Sequence, residues 1–592
     1  MSPIEKINSV LSTYFGFSSF RTGQEKAIRN VLEGKDTLCV MPTGGGKSIC
    51  YQVPALVMEG TVLVVSPLIS LMKDQVDALH QIDIPAAYIN STLSTEEYFG
   101  TVENALGGMY RLLYVAPERF ESPSFIQQIG KMDIPMIAID EAHCISQWGH
   151  DFRPSYRMLS KVISSFEQKP VVLALTATAT PAVREDICGQ LHIEQENTVM
   201  TGFERSNLTF SVIKGQDRDK FVKDYVKKND GEAGIIYAAT RKAVDQIHAT
   251  LERSGVAVAK YHAGLSDGVR QAEQDRFLMD EATIMVATNA FGMGIDKSNI
   301  RYVIHYQMPK NMESYYQEAG RAGRDGLDSE CTVLFSSQDV ITQRFLIDQS
   351  QDQNRIPAEL EKLQSMIDYC HTESCLQKFI ISYFGETDVQ DCGRCANCTD
   401  TRESFEVTVD VQKVLSCVIR MGQRFGKTMI AQVLTGSRNK KVLEFGFDKL
   451  TTYGLMKERN AKDISDFIEF IISENYLGVE NGQFPIIYVT EQGKDVLTGK
   501  IKVFRKGTVE TKQIAKDDPL FNQLRALRMK LAQEAGVPPF VVFSDKSLRD
   551  MAAKMPVTEE EFLEVNGVGA AKLERYGEAF MEEIKSFASQ TS

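Results

Sequence analysis

Short apolar runs alternate with longer amphipathic segments through the first half of the chain, and this alternation limits the fold more than any other feature. Residues 37–41 (TLCVM), 61–66 (TVLVVS), 112–116 (LLYVA), 136–140 (MIAID) and 171–175 (VVLAL) form one series. After about residue 206 a second begins: GIIYAA, VAVAKYH, TIMVAT, YVIHY and CTVLF. Short continuous apolar runs are the pattern of strands buried on both faces, and intervening helices make such strands parallel. Two tandem parallel-sheet α/β lobes are therefore expected, over 1–206 and 207–342. No short-period repeat accompanies them, which excludes a solenoid.

The first lobe carries a phosphate-binding pattern. MPTGGGKS (41–48) follows an apolar strand and precedes a helix-like SICYQVPALV. Glycines there let backbone N–H groups of Thr43, Gly44, Gly45 and Gly46 approach phosphates at a helix N-terminus. Lys47 would reach the β- and γ-phosphates of ATP, and the Ser48 hydroxyl would bind Mg²⁺. The strict pattern asks for glycine at position 41, where this chain has Met41. DEAH (140–143) ends the run MIAID, where a metal-binding carboxylate belongs. Asp140 would hold the metal and Glu141 would polarise the attacking water. Alone, DEAH could be the capped start of a helix; on these elements and with the glycine loop it reads as an NTPase.

The second lobe supplies cations. In YYQEAGRAGRDG (315–326), Arg321 and Arg324 lie three residues apart and would share a face if helical. An arginine at a transferring phosphoryl group stabilises transition-state charge. Arg324 is expected to be that finger, with Arg321 beside it.

Beyond residue 343 the period becomes helical (AELEKLQSMIDYC), and a cysteine cluster follows. Cys375, Cys392, Cys395 and Cys398 are spaced C-x16-C-x2-C-x2-C. Thiols separated by small turns suit tetrahedral coordination of Zn²⁺. An iron–sulfur cluster takes four thiolates too, but the Cys-Pro ending of ferredoxin runs is absent, since Thr399 follows Cys398. Cys370 is expected to be a buried helical thiol. The boundaries expected are 343–405 for the zinc region, 406–504 for a unit mixing helices with the hairpin-like GVENGQFPIIYV, 505–518 for a polar linker and 519–592 for a helical domain.

Composition narrows the class. The 592 residues exceed what one core supports. No run is long and apolar enough to span a bilayer, and MSPIEKINSV lacks a signal-peptide pattern, so a cytoplasmic protein with no membrane partner is expected. Clustered cysteines point to a reducing compartment and a metal rather than disulfides. A net charge of −13 argues against a nucleic-acid coat protein but not against a nucleic-acid enzyme. One oddity remains: the single tryptophan, Trp148, stands among polar residues in DEAHCISQWGHDFRP. A lone tryptophan usually anchors a core.

Together these residues resemble a superfamily 2 helicase, and within it the RecQ family of DNA helicases, over nearly the whole chain. FGFSSFRTGQEKAI (15–28) is similar to that family's adenine-reading motif. By that resemblance Phe17 packs on the base, Arg21 stacks against it and Gln24 bonds its edge. SPLISLMKDQV, YVAPERF and TATAT resemble strand-tracking and coupling motifs of the first lobe; IIYAATRKAVDQI, YHAGL, VATNAFGMGIDK and QEAGRAGRDG resemble those of the second. SQWGHDFRP resembles the family's aromatic-rich loop, which implies that Trp148 meets DNA bases and that His143, Phe152 and Arg153 contact DNA or couple it to hydrolysis. The resemblance also favours zinc. Residues 406–504 resemble a winged helix, in which Gly436 and Ser437 would open a helix carrying Arg438, Lys440 and Lys441 toward a phosphate, with Phe484 as a candidate wedge at the wing tip. Residues 519–592 resemble an HRDC domain through VNGVGAAKL. Residues 516–592 carry more acids than bases, so a protein-contact or autoregulatory role competes with DNA binding there.

The implied activity is ATP-dependent 3′–5′ unwinding of duplex or branched DNA in recombination, repair and replication-fork maintenance. ATP, Mg²⁺ and Zn²⁺ are the implied cofactors. Single-stranded and tailed or branched duplex DNA are the implied partners, with a single-stranded-DNA-binding protein as a further one, and the implied location is nucleoid-associated. The rival from another class is an ATP-gated DNA-binding scaffold that remodels without separating strands; an RNA helicase is disfavoured by the aromatic loop and the C-terminal modules.

Overall fold

A computed structural model describes residues 3–149, 151–292, 297–349, 355–480, 485–506 and 519–591. The first lobe has seven parallel strands: β1 (Thr37–Val40), β2 (Val62–Val65), β3 (Ala86–Ile89), β4 (Leu112–Val115), β5 (Met136–Ile139), β6 (Val171–Thr176) and β7 (Thr198–Met200). Their order is β3-β4-β2-β5-β6-β1-β7. The second has six: β8 (Leu208–Lys214), β9 (Ala233–Tyr237), β10 (Val258–Tyr261), β11 (Ile284–Ala287), β12 (Ile300–His305) and β13 (Ser329–Phe335), in the order β10-β11-β9-β12-β13-β8, again all parallel. The continuous apolar runs became the inner strands and, with VAVAKYH, the edge strand β10; β1, β2, β4 and β5 are buried throughout. The strands not foreseen, β3, β7 and β8, are a sheet edge or short, and β8 (LTFSVIK) alternates in burial because one face is only half covered.

One apolar core runs through both lobes and into the zinc region. At its centre Phe203, between β7 and β8, stacks on Phe384 at 4.5 Å, and Tyr316 Oη donates to the Phe203 carbonyl. The zinc region contributes helices Ile356–His371 and Leu376–Tyr383. The next unit has its own core, built on helices Thr408–Arg420, Lys427–Leu434 and Ala461–Ser473 with the antiparallel hairpin β15 (Leu477–Glu480) and β16 (Ile486–Val489). Flanking strands β14 (Ser404–Glu406) and β17 (Phe504–Lys506) pair with each other, so this unit is entered and left at one point. Phe484 and its turn, the linker beyond Lys506, and Met293–Asp296 of the VATNAFGMGIDK stretch lie outside the described residues.

Gly436 does not open a helix, contrary to expectation. At φ +72° it closes the helix Lys427–Leu434, and Ser437 N–H donates back to the Gln432 carbonyl. The following short helix is Lys440–Glu444, capped by Asn439, whose side chain accepts from Lys441 N–H. A glycine in the left-handed region just after the last helical residues is a common helix stop. Arg438, Lys440 and Lys441 are nonetheless exposed there.

The C-terminal helices, among them Pro519–Ala535, Asp545–Lys554 and Glu578–Thr591, form a separate core. This domain touches both lobes. Arg575 donates to Gln81 Oε1 of the first lobe at 2.8 Å, and Arg525 donates to the Gly231 carbonyl of the second. Gly569 of the VNGVG turn meets Gly16, one residue before Phe17, so closely that a Cβ on Gly16 would lie 3.1 Å from Gly569 N.

Candidate active site

The glycine loop follows β1 and the DEAH residues follow β5, so both stand at the carboxyl ends of the first sheet, where open α/β sheets bind ligands. Gly44 and Gly46 take φ of +80° and +77°, and a Cβ on Gly45 would come within 2.9 Å of the Pro42 carbonyl. The loop thus needs its glycines. Met41 does not need to be one: its N–H continues the ladder to the Thr176 carbonyl and its side chain is buried. Lys47 Nζ lies 3.3 Å from the Met41 carbonyl. Among the described residues the buried Thr43 hydroxyl has no hydrogen-bond partner, which suits a phosphate cradle. Helix Ile49–Val57, with Ser48 at its cap, begins there.

Arg21 and Gln24 reach the same loop. Arg21 donates to the Gly44 carbonyl, Gln24 Nε2 to those of Gly46 (2.9 Å) and Gly45 (3.3 Å), and Gln24 Oε1 accepts from Arg21 N–H. These two side chains therefore brace the phosphate loop, with Phe17 partly exposed.

Asp140 N–H donates to the Val65 carbonyl, extending the sheet by one bond. Glu141 then takes φ +49°, a strained value for a side-chain-bearing residue and typical of functional sites. Its carboxylate lies 3.2 Å from His143 Nδ1, which also lies 3.1 Å from Thr176 Oγ1 at the start of TATAT. Burial, reinforced by the charge of Glu141, pushes Asp140 up to about 7. Burial works to raise Glu141 as well, but the hydrogen bond and charge of His143 outweigh it and hold Glu141 down at about 2. Lys47 favours the charged form of both carboxylates.

Across the cleft, Arg321 and Arg324 stand in the turn after helix Met312–Ala319 rather than on a helix face. Gly320 caps that helix, and Gly323 (φ +58°) and Gly326 (φ +84°) prevent its continuation. This turn packs on the phosphate loop: the Arg324 Cα lies 3.5 Å from where a Gly44 Cβ would be, and a Cβ on Gly320 would lie 3.1 Å from that of Thr43. Arg321 is buried, donates to the Gly292 carbonyl, and lowers the pKa of Glu141 by its charge.

Trp148 is 60% exposed and so anchors no core. Its loop is held by backbone and neighbours instead. Trp148 N–H donates to Ser146 Oγ, and its carbonyl accepts from Lys362 Nζ at 2.8 Å. Arg355 donates to the Gly149 carbonyl at 3.0 Å and lies 5.9 Å over the Phe152 ring. Arg153 donates to the Pro67 carbonyl and pairs with Asp151. Lys362 and Arg355, from the zinc region, were not singled out in the sequence, because neither stands in a recurrent pattern. Lys362 also pairs with Glu313 of the helix leading to the arginine turn, at 3.4 Å.

The four cysteine sulfurs lie within 4.8 Å of one another. Cys375–Cys395 and Cys392–Cys398 sulfurs are 3.9 and 4.0 Å apart. Tetrahedral Zn–S bonds of about 2.3 Å require edges of about 3.8 Å, so the cluster fits Zn²⁺. Backbone N–H groups of Leu376, Lys378, Cys392 and Cys395 point at these sulfurs at 3.2–3.4 Å, as thiolate ligands need. Ser437 and Arg438 belong to the separate unit and are not part of this cleft.

Two parallel-sheet lobes that close a glycine loop, an acidic DEAH end and paired arginines around one cleft define a two-lobed helicase-type NTPase. Residues 21–187 match the DEAD/DEAH box helicase family and 217–326 the helicase conserved C-terminal domain. Residues 337–399 match the RecQ zinc-binding domain, 401–513 the RQC domain and 517–584 the HRDC domain. The chain is 56% identical to "ATP-dependent DNA helicase RecQ" of Bacillus subtilis, over 99% of this chain and 100% of that one. It is 39% identical to the protein of the same description from Haemophilus influenzae, over 98% and 95%. It is 33% identical to "RecQ-like DNA helicase BLM" of Xenopus laevis, over 98% of this chain and 46% of that one. This chain belongs to the RecQ family.

Proposed function

We infer that this protein is an ATP-dependent DNA helicase. The observation that carries this reading is the convergence of Lys47, Asp140 and Glu141 from one lobe with Arg321 and Arg324 from the other, in a chain so similar to proteins described as ATP-dependent DNA helicases. Ser48 and Asp140 would hold Mg²⁺, which neutralises phosphate oxygens when bound. Lys47 holds the β- and γ-phosphates, Glu141 orients the attacking water, and Arg324 meets the charge that develops on the transferred group. Phe17, Arg21 and Gln24 read the base. No described helix is long and apolar enough to cross a membrane.

DNA is read as crossing the tops of both lobes. A cavity at the carboxyl ends of β9 and β12 is lined by Asn289, Gln307, Lys310 and Arg355. Arg355 also holds the aromatic loop, so cavity and loop share one cation. Trp148 and Phe152 would meet bases, and the His143–Thr176 contact would carry the consequence to Glu141. Movement 3′ to 5′, action on tailed or branched DNA in recombination, repair and replication-fork maintenance, phosphate contacts by Ser437 and Arg438, a single-stranded-DNA-binding partner and a nucleoid-associated location follow from family resemblance and belong to this proposal. The domain limits 1–206, 207–342, 343–405, 406–504 and 519–592 are likewise proposed.

Lys47→Ala tests the site. It should abolish ATP hydrolysis and leave single-stranded DNA affinity largely intact, since Lys47 faces phosphate inside the cleft. Substantial residual turnover would refute the assignment. A scaffold without strand separation would instead hydrolyse ATP on DNA yet displace nothing from a 3′-tailed duplex.

Trp148→Ala tests coupling. Basal hydrolysis should persist while stimulation by single-stranded DNA and unwinding fall, with DNA affinity less affected because phosphate contacts remain. The thermal midpoint should not move, because an exposed ring contributes little packing; a core tryptophan would cost ~3–5 kcal/mol. Normal stimulation in this variant would remove Trp148 from the coupling path.

A further inference from the structure

The strand-to-strand connection between the lobes carries a cation that no motif claims. Arg205 lies between β7 and β8, in the sequence Phe203-Glu-Arg-Ser-Asn207, and is 9% exposed. Its guanidinium donates in two directions. One nitrogen reaches the Thr43 carbonyl of the phosphate loop and the Gly320 carbonyl at 3.3 Å. The other reaches the carbonyls of Ala322 (3.1 Å) and Gly323 (3.2 Å) in the arginine turn. Nε completes the set with Asn207 Oδ1 at 3.4 Å. Asn207 Nδ2 in turn donates to the carbonyls of Gly323 and Leu327, both at 2.8 Å.

Every one of these acceptors is neutral, and among the described residues no carboxylate reaches Arg205. A purely structural buried arginine is usually paired with an acid; Arg301, held by both oxygens of Asp325 at 2.7 and 2.8 Å, is this chain's example. The charges nearest Arg205 include Arg324 and Arg21, which repel it. A guanidinium held only by carbonyl dipoles beside two like charges is tolerated where an anion is handled. What it fixes is a spacing: Thr43 belongs to the loop that holds phosphate, and Gly320 to Gly323 frame Arg321 and precede Arg324. The connection itself is anchored from below, because Arg394 of the zinc knuckle donates to the carbonyls of Arg205 (3.0 Å) and Leu208 (3.3 Å).

We propose that Arg205 is a positioning residue for hydrolysis, clamping the arginine turn of the second lobe to the phosphate loop of the first so that Arg324 meets the transferred phosphoryl group in register. The inference rests on the helicase reading and adds to it a role for the connection between the lobes. The planar fork suits this role: it bonds carbonyls of two loops at once, which the single ammonium of lysine reproduces only in part. Because Arg205 acts through Arg324, it governs turnover rather than nucleotide affinity.

The test uses the full-length chain with Arg205→Ala, Arg205→Lys, Arg324→Ala and the Arg205→Ala/Arg324→Ala double variant. DNA-stimulated kcat, Kd for a fluorescent ATP analogue and the thermal midpoint are measured for each. A displacement of catalytic groups by about 1 Å typically costs ~10²-fold, so Arg205→Ala should lower kcat by about that factor while Kd changes far less. Arg205→Lys should restore part of kcat. The double variant should be little slower than Arg324→Ala alone, because nothing is left to position. Multiplicative losses in the double variant, or parallel losses of kcat, affinity and midpoint with no recovery by lysine, would reduce Arg205 to a structural staple and overturn the proposal. Should Arg205→Ala fail to fold, Arg205→Lys with and without Arg324→Ala carries the same additivity test. A wild type that hydrolyses no ATP fails the helicase reading and this inference with it; a wild type that does, beside an Arg205→Ala variant of unchanged kcat, fails the inference alone.

Discussion

Arg324→Ala should lower the DNA-stimulated turnover of ATP by ~10³–10⁵-fold, the range over which phosphoryl-transfer enzymes depend on such a finger. Nucleotide affinity should change much less. The reason lies in which lobe carries what: the glycine loop, Lys47 and the carboxylates all belong to the first lobe, which would bind nucleotide through them, whereas Arg324 arrives from the second. An interaction made mainly in the transition state lowers kcat and kcat/KM together. Steady-state kinetics and nucleotide titration on one preparation separate the outcomes. Equal losses of affinity and turnover would make Arg324 a ground-state phosphate ligand, and a larger effect from Arg321→Ala would exchange the roles of the two arginines.

Metal removal should be the other large effect. A four-thiolate zinc site contributes apparent folding free energy of ~10–16 kcal/mol in small domains. Elemental analysis should find one zinc per chain, and Cys395→Ala, which removes a fully buried ligand, should give unstable or insoluble protein. Damage should spread beyond the knuckle, because Ala396 N–H and Arg394 bond directly to β8 and the connection between the lobes. A brown, iron-containing preparation would contradict the zinc assignment, as would a Cys395→Ala chain of unchanged thermal midpoint.

Much of this was legible in the sequence, for physical reasons. Strands buried on both faces must be continuously apolar, so the inner strands of both sheets announced themselves, as did β10 at one edge; the strands missed, β3, β7 and β8, all sit at edges, where that requirement lapses. Glycine loops and cysteine spacings are legible because backbone geometry and metal coordination each demand particular residues at particular intervals. The position of Arg321 and Arg324 in a turn was not foreseen, because a spacing of three suits either helix or turn and only the φ values of Gly323 and Gly326 decide. Gly436 was misread for the same reason, a glycine being able to end a helix as well as precede one. Arg205, Arg355 and Lys362 could not be found at all: each works by donating to backbone carbonyls of a distant segment, and a carbonyl leaves no mark in a sequence.

The paired strands β14 and β17 have a consequence for the last domain. Because they bring the RQC unit's exit back to its entrance, Lys506 ends beside the zinc knuckle, with its ammonium on the Asn397 carbonyl at 2.9 Å. The chain therefore leaves Lys506 near the lobes instead of at the far end of that unit. Residues 507–518 can span at most ~40 Å fully extended. For a domain joined within that distance, any re-docking after release would be intramolecular, at a high local concentration. The contacts of Arg575 with Gln81 and of Gly569 with Gly16 would then be reinforced by that local concentration, which any competing ligand would have to overcome as well.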